Sequence, residues 1–156
     1  MSRQQALEEL RSRIGQEIHV SDWLEITQER IDAFADATGD HQWIHVDPAR
    51  AQRESPWGST IAHGYLTLSL FPMLRGRVEP GRPVFPGIEQ VVNYGLDRLR
   101  FPNAVRVGSR VRARCKLLGV EEVQGGLQVT EQYTAEIEGQ SKPACVADAI
   151  MRVYFE

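Results

Sequence analysis

The clearest pattern in the chain lies in its last third. Val111, Ala113, Cys115 and Leu117 alternate with Arg110, Arg112, Arg114 and Lys116. Beyond Gly125-Gly126, Leu127, Val129, Tyr133, Ala135 and Ile137 alternate with Gln128, Thr130, Gln132, Thr134 and Glu136, and Glu131 interrupts the apolar side. After a turn at Gly139, residues 144–155 read as another long strand. Alternation over such lengths predicts antiparallel strands with one buried face. A further strand begins at Ile88, where Val92, Tyr94 and Leu96 alternate with Val91, Asn93 and Gly95.

The first half has a different period. Residues 2–14 predict a polar helix with Ala6, Leu10 and Ile14 on one stripe, ended by Gly15. Residues 18–26 predict a first strand. Ile31, Phe34, Ala35 and Thr38 share one helical face, with Thr27 as N-cap and Gly39 as the left-handed stop. Asp47-Pro48 reads as an N-cap followed by proline at the first position of a new short helix. Asp40 and His45 are thereby expected in a loop between two helix ends. Residues 52–60 read as irregular, with a turn at Ser55-Pro56-Trp57-Gly58. Residues 61–74 are apolar on nearly all sides and predict one buried helix. Residues 75–87, rich in Pro and Gly, predict a loop. The order is strand, helix, buried helix and a strand meander: an α+β architecture with helices on one face of a sheet.

Length suits one domain, residues 1–156, with a sizeable core. A net charge of −3 gives no bulk reason to expect nucleic acid or an anionic membrane as partner. No segment has the apolar length of a membrane span, so no membrane insertion is expected. The N-terminus is too polar for a signal peptide. Cys115 and Cys145 lack CxxC spacing and read as reduced core residues, so a cytoplasmic location is expected. The basic stripe Arg110, Arg112, Arg114 and Lys116 reads as a solvated strand face.

Asp40 and His45 offer a carboxylate and an imidazole, the pair that general acid–base chemistry needs. His63-Gly64 lies near the start of the apolar helix, where free backbone N–H groups can bind a developing oxyanion. Each residue also has a plain structural role open to it. Asp is common in turns, a histidine can sit satisfied in a packed loop, and His63 can bond a backbone carbonyl. His41, His45, Asp40, Asp47 and His63 include types that ligate metals, but the loop character of the segment argues against a metal site, and none is expected.

The run Phe34-Ala35-Asp36-Ala37-Thr38-Gly39-Asp40-His41-Gln42-Trp43-Ile44-His45, with Ala49, Ala51 and then Ile61-Ala62-His63-Gly64, resembles the MaoC-like (R)-specific enoyl-CoA hydratases. The likeness extends from about Gly15 to the C-terminus and is strongest to single-domain, nodulation-protein-N-like members. It departs from the usual pattern at Gln42 and Trp43, where Asn-Pro is common. The resemblance implies a hot-dog fold, an antiparallel sheet wrapped around a long buried central helix, and a homodimer. It implies Asp40 and His45 as the catalytic pair, the Gly64 N–H as oxyanion donor, and Ser69, Gln42 and His63 in supporting roles. It also implies an acyl-CoA substrate and no separate cofactor, coenzyme A being part of the substrate. An acyl-CoA thioesterase and a non-catalytic acyl-thioester-binding module are the alternatives. Absence of Asp and Glu from residues 61–74 counts against the first, and the Gln42-Trp43 departure is the main support for the second.

Overall fold

The computed structural model describes residues 1–84 and 87–155. Phe85 and Pro86, inside the predicted 75–87 loop, lie outside the described residues. Helix α1 (Arg3–Ser12) starts on a capping box in which the Ser2 and Gln5 side chains each bond the other's backbone N–H. Ala6, Leu7 and Leu10 are buried on it. Ile14, expected on the same stripe, is exposed because the helix has already ended.

The predicted strand at 18–26 is two strands, β1 (Glu17–Val20) and β2 (Leu24–Glu25), both paired antiparallel with β4 (Arg110–Val123). Between them Ser21 bonds the Ala113 backbone through both its N–H and its hydroxyl oxygen. Trp23 takes the Arg112 guanidinium over its ring. These contacts draw the chain out of regular register.

Helix α2 (Gln28–Thr38) is capped by the Thr27 hydroxyl and ended by Gly39, whose φ of 83° needs glycine. Two short helices follow, α3 (Trp43–Val46) and α4 (Pro48–Glu54). Asp47 caps α4 by accepting from Arg50 N–H at 3.0 Å, with Pro48 at the first position. His45 therefore lies on a helical turn rather than in a loop, and helix α4 occupies the first part of the segment expected to be irregular.

The long helix expected over 61–74 is shorter and broken. Residues 60–62 are extended and bonded to the strand-like 105–107 segment. Helix α5 runs over Gly64–Ser69 and α6 over Phe71–Leu74. Pro72 supplies no backbone N–H, so the ladder cannot pass through it. Tyr65 (68%) and Met73 (40%) are exposed, so the segment has a buried face rather than a fully buried surface.

Strands β3 (Ile88–Arg100), β4, β5 (Gly126–Ile137) and β6 (Cys145–Phe155) form one antiparallel sheet ordered β1-β4-β5-β6-β3. Its inner face carries Val111, Ala113, Cys115, Tyr133, Ala135 and Cys145, packed against Ile31, Leu66, Leu70, Phe71 and Leu74 from the helices. This is the hot-dog fold, sheet around helix. Tyr133 fixes the helix to the sheet: its hydroxyl donates to the Thr67 carbonyl at 2.9 Å and its ring stacks on Phe71.

Glu131, the interruption in the apolar pattern of β5, is 1% exposed and accepts two bonds from Arg75, at 2.9 and 3.1 Å. Cys115 and Cys145 are buried free thiols, and burial pushes both up to about 12. The three arginines of the basic stripe on β4 pair with carboxylates, Arg110 with Glu138, Arg112 with Glu136, and Arg114 with Glu136 and Glu17. No helix among the described residues is long and apolar enough to cross a membrane.

Candidate active site

The end of α2, the α3 turn and the start of α5 meet at one point. His45 on α3 is buried, and its Nδ1–H donates to the Ile61 carbonyl at 2.6 Å. That bond leaves Nε2 with its lone pair free, the tautomer a general base requires. Burial holds the imidazole below its usual pKa of 6.5, partly opposed by the Ile61 bond, assisted by His63 and again opposed by Asp40. At neutral pH the ring is therefore neutral and able to accept a proton.

Asp40 follows the Gly39 stop and is exposed. Its Oδ1 accepts from Gln42 N–H at 3.3 Å, an Asx-type turn that fixes the carboxylate's direction. The structural and the chemical readings of Asp40 are thus compatible: the turn orients the group and leaves its other oxygen open.

His63 stacks on His45 with ring centroids 3.8 Å apart and an interplanar angle of 23°. Phe34 tilts against its other side at 4.9 Å. The His63 Nε2–H donates to the Asp40 carbonyl at 2.9 Å. Its Nδ1 is buried and has no hydrogen-bond partner among the described residues. One donor atom each from Asp40, His45 and His63 lie within 4.8 Å of one another. These three donor atoms are close enough together to surround a cation, so the same cluster offers both an acid–base pair and a candidate metal-ligand set.

Gly64 is the first residue of α5, where an N–H has no partner within the helix. A Cβ at this position would come within 3.1 Å of the Phe101 ring. Phe101 itself follows an irregular end of β3, where Arg98 adopts a φ of 52° and pairs with Asp148. Beside Gly64 a cavity of about 380 Å³ is lined by Trp57, Thr67, Phe101, Asn103 and Ala144.

Ser69 is separated from this cluster. Its hydroxyl donates to the Leu66 carbonyl at 3.0 Å and its side borders a different, apolar cavity of about 400 Å³ with Asn93, Tyr94 and Leu96. Gln42 caps the α3 turn through its backbone and is exposed. Trp43 packs against the Arg50 guanidinium at 4.2 Å. Phe101 carried no sequence signal, because its contact with Gly64 joins a strand end to a distant helix start. Glu131 did carry one, as a charge on the buried face of a strand.

Residues 9–139 match the family model for the MaoC like domain. The chain is 49% identical over 149 residues to 3-hydroxyacyl-thioester dehydratase Z of Mycobacterium tuberculosis strain H37Rv, covering 95% of each protein. It is 45% identical over 156 residues to Nodulation protein N of Rhizobium leguminosarum bv. viciae, covering 97% of this chain and 92% of that one. Among solved structures, the (R)-hydratase from A. caviae involved in PHA biosynthesis superposes with a TM-score of 0.66 at 25% identity, over 87% of this chain and 97% of that one.

Proposed function

The chain belongs to the MaoC-like dehydratase family, and from that premise we propose that it catalyses reversible syn hydration of a trans-2-enoyl-CoA to the (3R)-3-hydroxyacyl-CoA. The observation that carries this reading is the convergence of the Asp40 carboxylate with the neutral His45 ring. His45 Nε2 holds a water molecule and takes its proton as the oxygen bonds the β-carbon. Asp40 orients the same water and relays the proton taken up by His45 to the α-carbon, so both side chains return to their starting protonation states. One water is thus added across the double bond. The Gly64 N–H receives the charge that gathers on the thioester oxygen, and glycine lets that oxygen approach the backbone closely. His63 holds the Asp40 loop through its carbonyl, and the Gln42 N–H holds the carboxylate. Ser69 acts further off, on the wall of the apolar cavity that suits an acyl chain.

The reaction requires neither a metal nor an organic cofactor. The active form is a homodimer. Strand β3 is a free sheet edge, and Val92 (45%), Tyr94 (60%) and Leu96 (43%) on it are exposed, a row of apolar side chains that a second copy would cover. Buried free thiols at Cys115 and Cys145 fit a reducing compartment, the cytoplasm.

The test follows loss of the conjugated enoyl-thioester absorbance with crotonyl-CoA and a medium-chain enoyl-CoA, with chiral analysis of the product. Formation of the (3R) alcohol is expected. Release of free thiol without a hydroxyacyl product would establish a thioesterase instead, and binding without conversion a non-catalytic module.

A further inference from the structure

The apolar cavity beside Ser69 adjoins a charged one. Leu68, Phe71, Tyr94 and Ile150 line the first, of about 400 Å³. Pro72 and Asn93 border both it and a second cavity of about 450 Å³. The second cavity contains Arg77. Its guanidinium lies over the Phe71 ring, 4.3 Å from the centroid, and Nη1 donates to Asn93 Oδ1 at 3.4 Å. Nη2 is buried and has no hydrogen-bond partner among the described residues.

The local charge is unbalanced. Arg75 and Glu131 form a closed bidentate pair, so the Arg77 charge is left over. Burial lowers the Arg77 pKa to about 10, which still leaves it a cation at neutral pH. Glu79 and Glu89 also line the second cavity, but both are exposed and neither bonds Nη2. Glu79 faces Arg82 at 3.7 Å. A buried charged donor without an acceptor is unfavourable. A carboxylate entering from the cavity would satisfy it with two parallel, charge-assisted bonds.

We propose that Arg77 determines specificity by receiving a carboxylate at the far end of the acyl chain, so that ω-carboxylated acyl thioesters are the preferred substrates. This rests on the hydratase reading, which puts the thioester at Gly64. α5 and α6 carry the chain from Gly64 to Leu74, at most roughly 15 Å of helical rise, and Arg77 lies three residues further, within reach of a long acyl chain. The chain would pass Leu68 and Pro72 and meet the guanidinium at its tip. A methyl terminus would leave Nη2 unpaired.

The experiment compares kcat/KM for trans-2-hexadecenoyl-CoA and its ω-carboxy analogue in the unmodified protein, in Arg77→Leu and in Arg77→Lys. The unmodified protein is expected to prefer the ω-carboxy substrate. Arg77→Leu is expected to shift that preference about tenfold to a hundredfold towards the methyl-ended chain. Arg77→Lys, which keeps the charge but loses the fork, gives a smaller shift and serves if the leucine variant does not fold. An identical ratio in all three proteins overturns the proposal while leaving the hydratase reading intact. If neither thioester is hydrated, the same ratio is read by calorimetric binding of hexadecanoyl-CoA and its ω-carboxy analogue. Equal affinities there overturn the proposal independently of turnover.

Discussion

The rings of His45 and His63 lie face to face, 3.8 Å between centroids, and each is anchored to a backbone carbonyl supplied by another segment. His45 bonds Ile61 and His63 bonds Asp40. The two bonds cross, tying the α3 turn to the approach of α5 and the approach of α5 back to the Asp40 loop. Asp40, His45 and the Gly64 N–H are thereby fixed relative to one another by a few short links.

Removing either reacting group should stop the chemistry without unfolding the chain. Asp40→Asn retains an oxygen for the Gln42 N–H, and His45→Gln retains polarity near the Ile61 carbonyl. Each is expected to lower kcat by about 10²–10⁴-fold, the usual contribution of a positioned proton transfer. Circular dichroism should be unchanged. Near-normal turnover in either variant would remove the acid–base assignment.

The pH dependence follows from the burial of His45. Its pKa lies below the usual 6.5, because desolvation disfavours the imidazolium. As pH falls from 6.5 through the folded-state value, the unfolded chain binds more protons than the folded one, so stability declines across that window. Above 6.5 this contribution is fully present. Activity should follow the same direction, with kcat/KM flat at neutral pH and falling on an acid limb centred below 6.5. NMR titration of the His45 ring, compared with the acid limb of the rate profile, checks both statements. An acid limb centred above 6.5 would contradict them.

His63 is a positioning residue by this geometry, and its substitution separates stacking from hydrogen bonding. His63→Phe keeps a ring against His45 and loses the bond to the Asp40 carbonyl. The lost bond is worth about 1 kcal/mol, so kcat should drop about fivefold with KM little changed. His63→Ala removes the stacked ring as well and should shift the pH profile, since His63 lowers the His45 pKa. A residue with a purely structural role would leave the profile where it was.

Much of this arrangement was legible in the sequence, and the reasons are local. Strands β4, β5 and β6 were readable because one face is sealed: Val111, Ala113, Cys115 and Leu117 are all 0% exposed. The α2 stop at Gly39 and the Asp47-Pro48 start are short-range signals, and both appear as read. Composition predicts one helix over 61–74 because it conceals two facts. Residues 60–62 are held extended by the distant 105–107 segment, and Pro72 interrupts the ladder. Ser69 was grouped with the acid–base pair by resemblance, yet its hydroxyl turns back to the Leu66 carbonyl. Phe101 over Gly64 depends on a bend at Arg98, which no periodicity reveals.

That bend makes Gly64 testable with a second site. A methyl at residue 64 would meet the Phe101 ring at 3.1 Å, tighter than an ordinary contact. Either the ring moves or the helix start does. Gly64→Ala is expected to cut kcat/KM by about 10²-fold if the N–H shifts away from the thioester oxygen, a loss typical of one oxyanion donor. Adding Phe101→Leu relieves the crowding and should recover part of the rate. No recovery would mean that the methyl obstructs the substrate directly and not through the ring.

The Arg75–Glu131 pair sets the last expectation. Glu131 is 1% exposed and Arg75 8%, so neither charge is screened by water. Glu131→Gln leaves the Arg75 guanidinium buried without a counter-ion, beside the Arg77 cation. Removing one partner of a buried pair typically costs about 3–5 kcal/mol, and the second guanidinium puts the loss at the upper end of that range. Replacing both partners, as in Arg75→Met with Glu131→Met, removes both desolvation penalties and fills similar volume, so most of the loss should return. Chemical denaturation of the two variants measures the difference. A double variant no more stable than Glu131→Gln would mean that the pair holds α6 to the sheet through its hydrogen-bond geometry, and that matched charge is not what matters there.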